Sequence, residues 1–385
     1  MPRHRRKILF VINSLCGGGA ERVMTTLLRH SEGFRGRFDI RLALLDREPS
    51  AYSVPDWVRV HDLDCRFRLG ASLRQLGALA RQIDPDCMVS FLTRANVANA
   101  WVSAKRGTPA IISERINTGA QLGAGLRGVV TRRIVRFTYP KASRVIGVSL
   151  GVGEALARDY GVERSRIDVI ANPVDIDEIR ARASDETPDV PEDPYTFAMG
   201  RLVPKKNFAL LLRAFARAGL PGRLVIAGEG PERDALLELG RELGLADRVL
   251  LPGFVANPYP LLSRARTFVL SSNAEGFPNA LVEAMSLGIP AIATNCADGP
   301  AEILAGVRRE EVSGSVEAPA GLLVPVDDPQ AMSEALIKVQ DSELRNKLAS
   351  AGRRRAEGFT VESSVKRYWE VIEGALGEPL DASGS

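Results

Sequence analysis

The sequence predicts an α/β protein of two successive domains, each a doubly wound parallel sheet covered by helices on both faces. Three observations predict it. The chain has 385 residues, too many for one ordinary domain and suited to two. Short, continuous apolar runs alternate with stretches of helical period, as parallel strands buried on both faces require. A polar, proline-rich stretch interrupts this alternation near the middle, after which it restarts.

The first element is Lys7-Ile-Leu-Phe-Val-Ile12, a buried strand; Gly17-Gly-Gly19 follows it, and Ala20 to His30 runs at helical period. Ile40–Leu45, Cys87–Phe91, Ala110–Ser113 and Val145–Ser149 read as further strands, and Asp168–Pro173 as a last short one ended by its proline. The stretch Asp185–Pro194 carries Pro188, Pro191 and Pro194 among five acids and reads as a linker or surface loop. Strands then resume at Thr196–Met199, Leu224–Ala227, Val249–Leu251, Thr267–Leu270 and Ala291–Ala293, with helices at Phe208–Ala218, Pro231–Leu243 and Asn279–Leu287. One domain thus covers residues 1–173 and the other 174–360. A helix over about 361–378 is a candidate to pack back on the first domain, and 379–385 reads as a flexible tail. Two such domains facing across a cleft would bind ligands at the carboxyl ends of their strands.

Composition narrows the function. Apolar content of 45% and charged content of 25% are ordinary for a soluble globular protein. Cys16, Cys65, Cys87 and Cys296 show no CxxC spacing, which argues against a zinc site or disulfide framework and fits a reducing compartment. The basic start is followed by Ile8–Ile12, too short for the core of a signal peptide, and no apolar run approaches the roughly 18 residues of a membrane span. A cytoplasmic protein is expected. Residues 1–175 hold 28 Lys+Arg against 16 Asp+Glu, whereas the remainder holds 23 against 31. The basic half suggests an anionic partner. Aromatic residues are few and no basic–aromatic stripe points to nucleic acid. The stretch Leu126–Tyr139, with Arg127, Arg132, Arg133 and Arg136 beside Leu126, Val130, Ile134 and Phe137, reads either as a helix lying on an anionic membrane or as ordinary core.

Three loops carry the chemistry. Gly17–Gly19 lies between strand and helix, where exposed N–H groups suit a phosphate; neither a GxGxxG pattern nor a Walker lysine is present. Arg201 and Lys206 follow the first strand of the second domain, where two cations can meet a dianionic leaving group. "AEGFPNALVEAMSLG" places Glu275 in a loop and Glu283 inside the helix that follows, with Pro278 suited to its first position and Gly288 to its stop. The N–H groups of Asn279, Ala280 and Leu281 would face an anion, and the glutamates would accept hydrogen bonds from sugar hydroxyls. A nucleotide diphosphate sugar has that shape. Gly147-Val-Ser149-Leu-Gly151 matches a hydrolase elbow, but His4, His30 and His61 all precede the serine, whereas that fold needs one after it. Of the Asp-x-Asp pairs at Asp62, Asp84 and Asp175, Asp84-Pro-Asp86 reads as a helix-to-strand turn and the others as loops, so neither metal nor cofactor is expected.

Together Glu275-x7-Glu283, Gly-Arg201-Leu with Lys206, and Gly-Gly-Gly19-Ala-Glu-Arg-Val23 resemble the retaining GT-B glycosyltransferases of family four, over nearly the whole chain. "GGGAERV", "NPYPLL" and "SSNAEGFPNALVEAM" look most like bacterial members that build lipid-linked oligosaccharide, exopolysaccharide or O-antigen. The resemblance implies two Rossmann-like domains, the first for the acceptor and the second for the donor. It implies that Gly18 and Gly19 approach the diphosphate, Arg201 and Lys206 neutralise it, and Glu283 binds the ribose. Glu275, with the backbone from Gly276 and Phe277, would position the transferred sugar, and Val255 would lie near the base. Many relatives have glycine where Pro278 stands. Many also have a histidine in the first domain; the comparable loop here is Ser113-Glu-Arg-Ile-Asn117, so Arg115, with Ser149, becomes a candidate acceptor-side residue. The implied reaction moves a hexose or N-acetylhexosamine, most simply from a UDP-sugar, to a polyprenyl-diphosphate-linked glycan or other polysaccharide. The basic half would lie on the anionic inner-membrane surface. A nucleotide-sugar 2-epimerase and a non-catalytic nucleotide-sugar-binding protein are the alternatives.

Overall fold

The computed structural model describes residues 5–115, 125–186, 191 and 193–377. His4, Ile116, Asn117, much of the 185–194 stretch, the side chains of Leu126 and Arg127, and the 379–385 tail lie outside the described residues. The described residues form two compact units, one running to Pro173 and resuming at Val361, the other spanning Val174–Thr360.

In the first unit the elements run β1 (Arg6–Ile12), α1 (Gly19–Arg29), β2 (Phe38–Leu44), β3 (Arg59–Asp62), α2 (Leu69–Ile83), β4 (Cys87–Phe91), α3 (Thr93–Arg106), β5 (Ala110–Glu114), α4 (Leu126–Thr138), β6 (Arg144–Gly147), α5 (Leu150–Tyr160) and β7 (Ile167–Val169). The sheet order is β3-β2-β1-β4-β5-β6-β7, parallel throughout. Because successive side chains of a strand point to opposite faces, β1 divides its residues between two cores. Ile8, Phe10 and Ile12 pack in one with Val23, Leu27 and Leu28 of α1. Leu9 and Val11 pack in the other with Leu76, Leu79 and Ala80 of α2 and Ala95, Ala98 and Val102 of α3.

The second unit runs α6 (Ile176–Arg182), β8 (Tyr195–Met199), α7 (Phe208–Ala218), β9 (Arg223–Ala227), α8 (Arg233–Glu242), β10 (Val249–Gly253), α9 (Tyr259–Ser263), β11 (Thr267–Leu270), α10 (Asn279–Ser286), β12 (Ala291–Thr294), α11 (Pro300–Ala305), β13 (Val316–Ala318), β14 (Gly321–Val324), α12 (Pro329–Lys338) and α13 (Ser342–Ala356). Its sheet order is β10-β9-β8-β11-β12-β14-β13. This sheet corrects the expectation of a purely parallel arrangement, since β13 pairs with β14 antiparallel.

The last helix, α14 (Val361–Ala375), belongs to the first unit. Trp369 is 1% exposed, stacks on Phe34 at 4.2 Å and donates from Nε1 to Ser31 Oγ at 2.8 Å. Tyr368 Oη lies 3.0 Å from Ser113 Oγ at the end of β5. α14 thus completes the apolar face that β1 and α1 leave open.

Candidate active site

In each sheet the strand order reverses direction beside the first strand of its unit, between β1 and β4 and between β8 and β11. Loops leaving the carboxyl ends of strands diverge at such a switch point and open a crevice for ligands. Gly17–Gly19 follows β1, Arg201 and Lys206 follow β8, and Glu275 follows β11, so all three chemistry-bearing loops lie at switch points.

The loop after β8 is held by its neighbour. Gly200 N–H donates to Ala227 O at 2.9 Å and Leu202 N–H to Glu229 O at 2.8 Å, extending the sheet pairing beyond the strands. Gly228 and Gly230, at φ +151° and +158°, allow this approach: a Cβ at either would collide with the carbonyl oxygen of Gly200 or Leu202. This Gly-Glu-Gly signal, directly after a strand, was missed in reading the sequence. Gly228→Ala is expected to destabilise the second unit by at least about 2 kcal/mol, through backbone strain and overpacking, measurable as a lowered denaturant midpoint.

Leu202 is fully buried and anchors the loop, while Arg201 beside it is exposed and makes no side-chain hydrogen bond or ion pair among the described residues. The chain then makes a single 3-10 turn, Pro204–Lys206, and Asn207 caps α7 by accepting from Leu210 N–H at 3.2 Å. Lys206 Nζ reaches Glu275 Oε1 at 2.6 Å. Ser272 Oγ donates to the same oxygen at 2.5 Å. Backbone bonds fix the partners: Ser271 Oγ donates to Lys206 O at 2.9 Å, Asn273 N–H to Lys205 O at 2.8 Å, and Glu275 N–H to Ala297 O at 3.0 Å. Lys206 and Glu275 are largely buried, with side chains 22% and 9% exposed. Nearby Cys296 is pushed up to about 12, by burial first and then by the Glu275 charge, so its thiol stays neutral.

Glu283 sits inside α10, 6% exposed. Two expectations about this helix are corrected. Pro278 is the residue before the helix rather than its first residue, with ψ 91° outside the helical range. Leu281 N–H already bonds Pro278 O at 3.0 Å, so it is not offered to an anion. Asn279 and Ala280 precede it at the half-exposed helix start, and Gly276 and Phe277 are buried ahead of them. Phe277 meets Phe359 edge-on at 5.4 Å. Val255 is half-buried just past β10, beside Phe254, which is 78% exposed.

In the first unit, Gly18 is the residue before α1 and Gly19 its first residue. The glycine turn holds a feature that was not foreseen: the carboxylate of Glu21, 8% exposed, lies against Gly18, where a Cβ would overlap it. A carboxylate in a first turn stabilises the helix start by charge. Arg115 is turned inward, 7% exposed. It donates to Tyr368 Oη at 2.7 Å, to Ser113 Oγ at 3.3 Å and to Asn172 Oδ1, with its guanidinium 5.3 Å from the centre of the Phe91 ring. The proposed β6 continuation to Ser149 is also corrected: the strand ends at Gly147, and Ser149, 1% exposed, caps α5 by accepting from Val152 N–H at 3.3 Å. Ser149→Ala should cost about 1 kcal/mol of stability and leave transfer kinetics unchanged; a large fall in kcat would give the hydroxyl a role beyond capping. Among the described residues no three His, Cys, Asp or Glu side chains cluster as a metal site would.

This architecture is that of the GT-B glycosyltransferases. It resembles the Anabaena Alr3699/HepE structure in complex with UDP, with TM-score 0.77 at 21% identity over 96% of this chain and 100% of that one. It also resembles the apo lipopolysaccharide outer core galactosyltransferase WaaB, with TM-score 0.74 at 19% identity over 96% and 99%. The "Glycosyltransferase Family 4" model matches residues 17–178, and the "Glycosyl transferases group 1" model matches residues 180–355. Between them the two models match most of the chain, which is a glycosyltransferase. One relative is the N-acetylgalactosamine-N,N'-diacetylbacillosaminyl-diphospho-undecaprenol 4-alpha-N-acetylgalactosaminyltransferase of Campylobacter jejuni, 29% identical over 97% of this chain and 100% of its own. Another is the lipopolysaccharide core biosynthesis glycosyltransferase LpsE of Rhizobium meliloti, 27% identical over 95% and 94%.

Proposed function

We propose that this enzyme transfers a hexose or N-acetylhexosamine, with retention of configuration, from a UDP-sugar to a hydroxyl of a lipid-linked or growing polysaccharide acceptor at the cytoplasmic face of the inner membrane. The observation that carries this reading is the cation pair after β8: Arg201 exposed and unpaired among the described residues, Lys206 held beside it by Glu275. The UDP complex of the Anabaena protein supports a UDP donor. The diphospho-undecaprenol acceptor named for the Campylobacter relative supports a lipid-linked one. Among the described residues no helix is long and apolar enough to cross a membrane. Contact with such an acceptor would be made at the membrane surface, through the basic half of the chain.

The geometry suggests a division of labour. Lys206 and Ser272 both use Glu275 Oε1, which leaves Oε2 to accept a sugar hydroxyl. Glu275 would therefore orient both the lysine and the sugar. As the glycosidic bond breaks, charge grows on the departing diphosphate, and Arg201 and Lys206 would stabilise it without a metal. The acceptor hydroxyl attacks from the face the diphosphate leaves, and the departing phosphate oxygen takes its proton. Glu283 would hold the ribose, and Gly276 and Phe277 would shape the sugar pocket.

The test is incubation with radiolabelled UDP-, GDP- and ADP-sugars and a polyprenyl-diphosphate-linked glycan, followed by assignment of the product's anomeric configuration by NMR. An axially linked product from an axially linked UDP-sugar is expected. An inverted linkage would overturn the retaining mechanism, and transfer from another nucleotide would overturn the UDP assignment. Release of a free epimer would favour the 2-epimerase reading, and binding without turnover would favour a non-catalytic one.

A further inference from the structure

A cavity of about 280 Å³ opens on the first unit between α4 and the end of α5, lined by Val129, Arg132, Arg133, Arg136, Asp159 and Tyr160. Three arginines of one helix border it. Arg133 and Arg136 are exposed, and neither side chain has a hydrogen bond or ion pair among the described residues. The one acid on the lining, Asp159, is matched by Arg158, which donates to it at 2.7 and 2.8 Å. Tyr160 is 3% exposed, and its buried hydroxyl has no hydrogen-bond partner among the described residues. A buried hydroxyl left unbonded is costly, and Arg133 and Arg136 line the same cavity. The cavity therefore presents donors in excess.

The same helix carries an apolar ridge beside these arginines. Val129, Val130 and Phe137 are 43%, 48% and 64% exposed. Phe137 packs against Trp101 at 6.3 Å, with Lys141 Nζ 4.5 Å from the centre of the Phe137 ring and Lys105 Nζ 5.4 Å from that of Trp101. Exposed aromatic and branched side chains flanked by cations suit the boundary between lipid headgroups and acyl chains. The sequence left α4 open between a membrane helix and ordinary core. In the structure Val135 is fully buried on the core side, while Val130 and Phe137 face outward.

We propose that this cavity binds the phosphate of an anionic phospholipid headgroup, with Arg133 and Arg136 as charge partners and Tyr160 Oη as a further donor, while Val129, Val130 and Phe137 enter the interfacial layer. The site would dock the acceptor unit on the membrane, and it rests on the reading that the acceptor is membrane-borne. Charge complementarity and the adjoining apolar ridge select a lipid headgroup over free phosphate, which would have no use for the ridge.

The test is sedimentation of the full chain with phosphatidylcholine vesicles, with or without phosphatidylglycerol. Binding should require the anionic lipid and weaken with salt. A surface cation contributes about fivefold in membrane affinity, so Arg133→Gln with Arg136→Gln should lower the partition coefficient about 25-fold. Val130→Ser with Phe137→Ser should lower it as well. Tyr160→Phe should weaken binding to phosphatidylglycerol vesicles and leave the melting temperature near that of wild type. All variants should retain transfer to a water-soluble, short-chain acceptor, which separates a failure of docking from a failure of the proposed reaction. Equal binding to neutral and anionic vesicles, unchanged partition of the double arginine variant, or full competition by millimolar inorganic phosphate at constant ionic strength would overturn the proposal.

Discussion

Lys206→Ala is expected to lower kcat for sugar transfer by about 100-fold or more, the scale on which a preorganised charge at a departing group acts. The lysine is largely buried, and Glu275 holds its Nζ at 2.6 Å. Little reorganisation is then needed when charge develops on the diphosphate. The substitution also leaves Glu275, 7% exposed, without its cation, although Ser272 still donates to it. Some loss of stability should accompany the loss of rate. The two are separated by measuring kcat well below the melting temperature and by comparison with Glu275→Gln. That variant keeps the lysine but loses the charge that orients it, so its kcat should fall by less. Normal turnover by Lys206→Ala would remove the lysine from the mechanism, while a loss confined to KM would make it a ground-state binding residue.

Trp369→Ala should destabilise the first unit by about 3–5 kcal/mol, as expected for removing a large buried aromatic from a core that cannot collapse around the gap. The ring is 1% exposed, stacked on Phe34 at 4.2 Å, tilted against Phe38 at 4.9 Å, and bonded to Ser31. Removal also strands that hydroxyl, which then bonds only Leu27 O, at 2.6 Å. Urea denaturation followed by far-ultraviolet circular dichroism measures the loss. A change below about 1 kcal/mol would mean that α14 is not an integral part of the first unit's core.

Much of the fold was legible because burial on both faces writes itself into a strand. Ile8–Ile12 is a continuous apolar run and Cys87–Phe91 is apolar except for Ser90, and all of these residues are fully buried. The strand β3 was missed for the opposite reason: Arg59-Val-His-Asp62 is an edge strand with mostly exposed side chains and no apolar run. The hairpin of β13 and β14 was missed because strands of three and four residues leave little periodic signal.

The loops at the switch points could be found in the sequence because their residue types are unusual there: glycines, paired cations and glutamates directly after apolar runs. Their partnerships could not be found in the same way. Lys206 and Glu275 are 69 residues apart, and only the adjacency of β8 and β11 in the sheet brings them to one hydrogen bond. Arg115 and Ser149 looked available as isolated letters. Folding gives the first to Tyr368, Ser113 and Asn172 and the second to the start of a helix. Local pattern, set by the solvation of each segment, determined the class of fold and the loops that carry charge. Strand order decided which charges meet, which polar groups are already satisfied and where the last helix docks, because those outcomes depend on contacts between segments far apart in the chain.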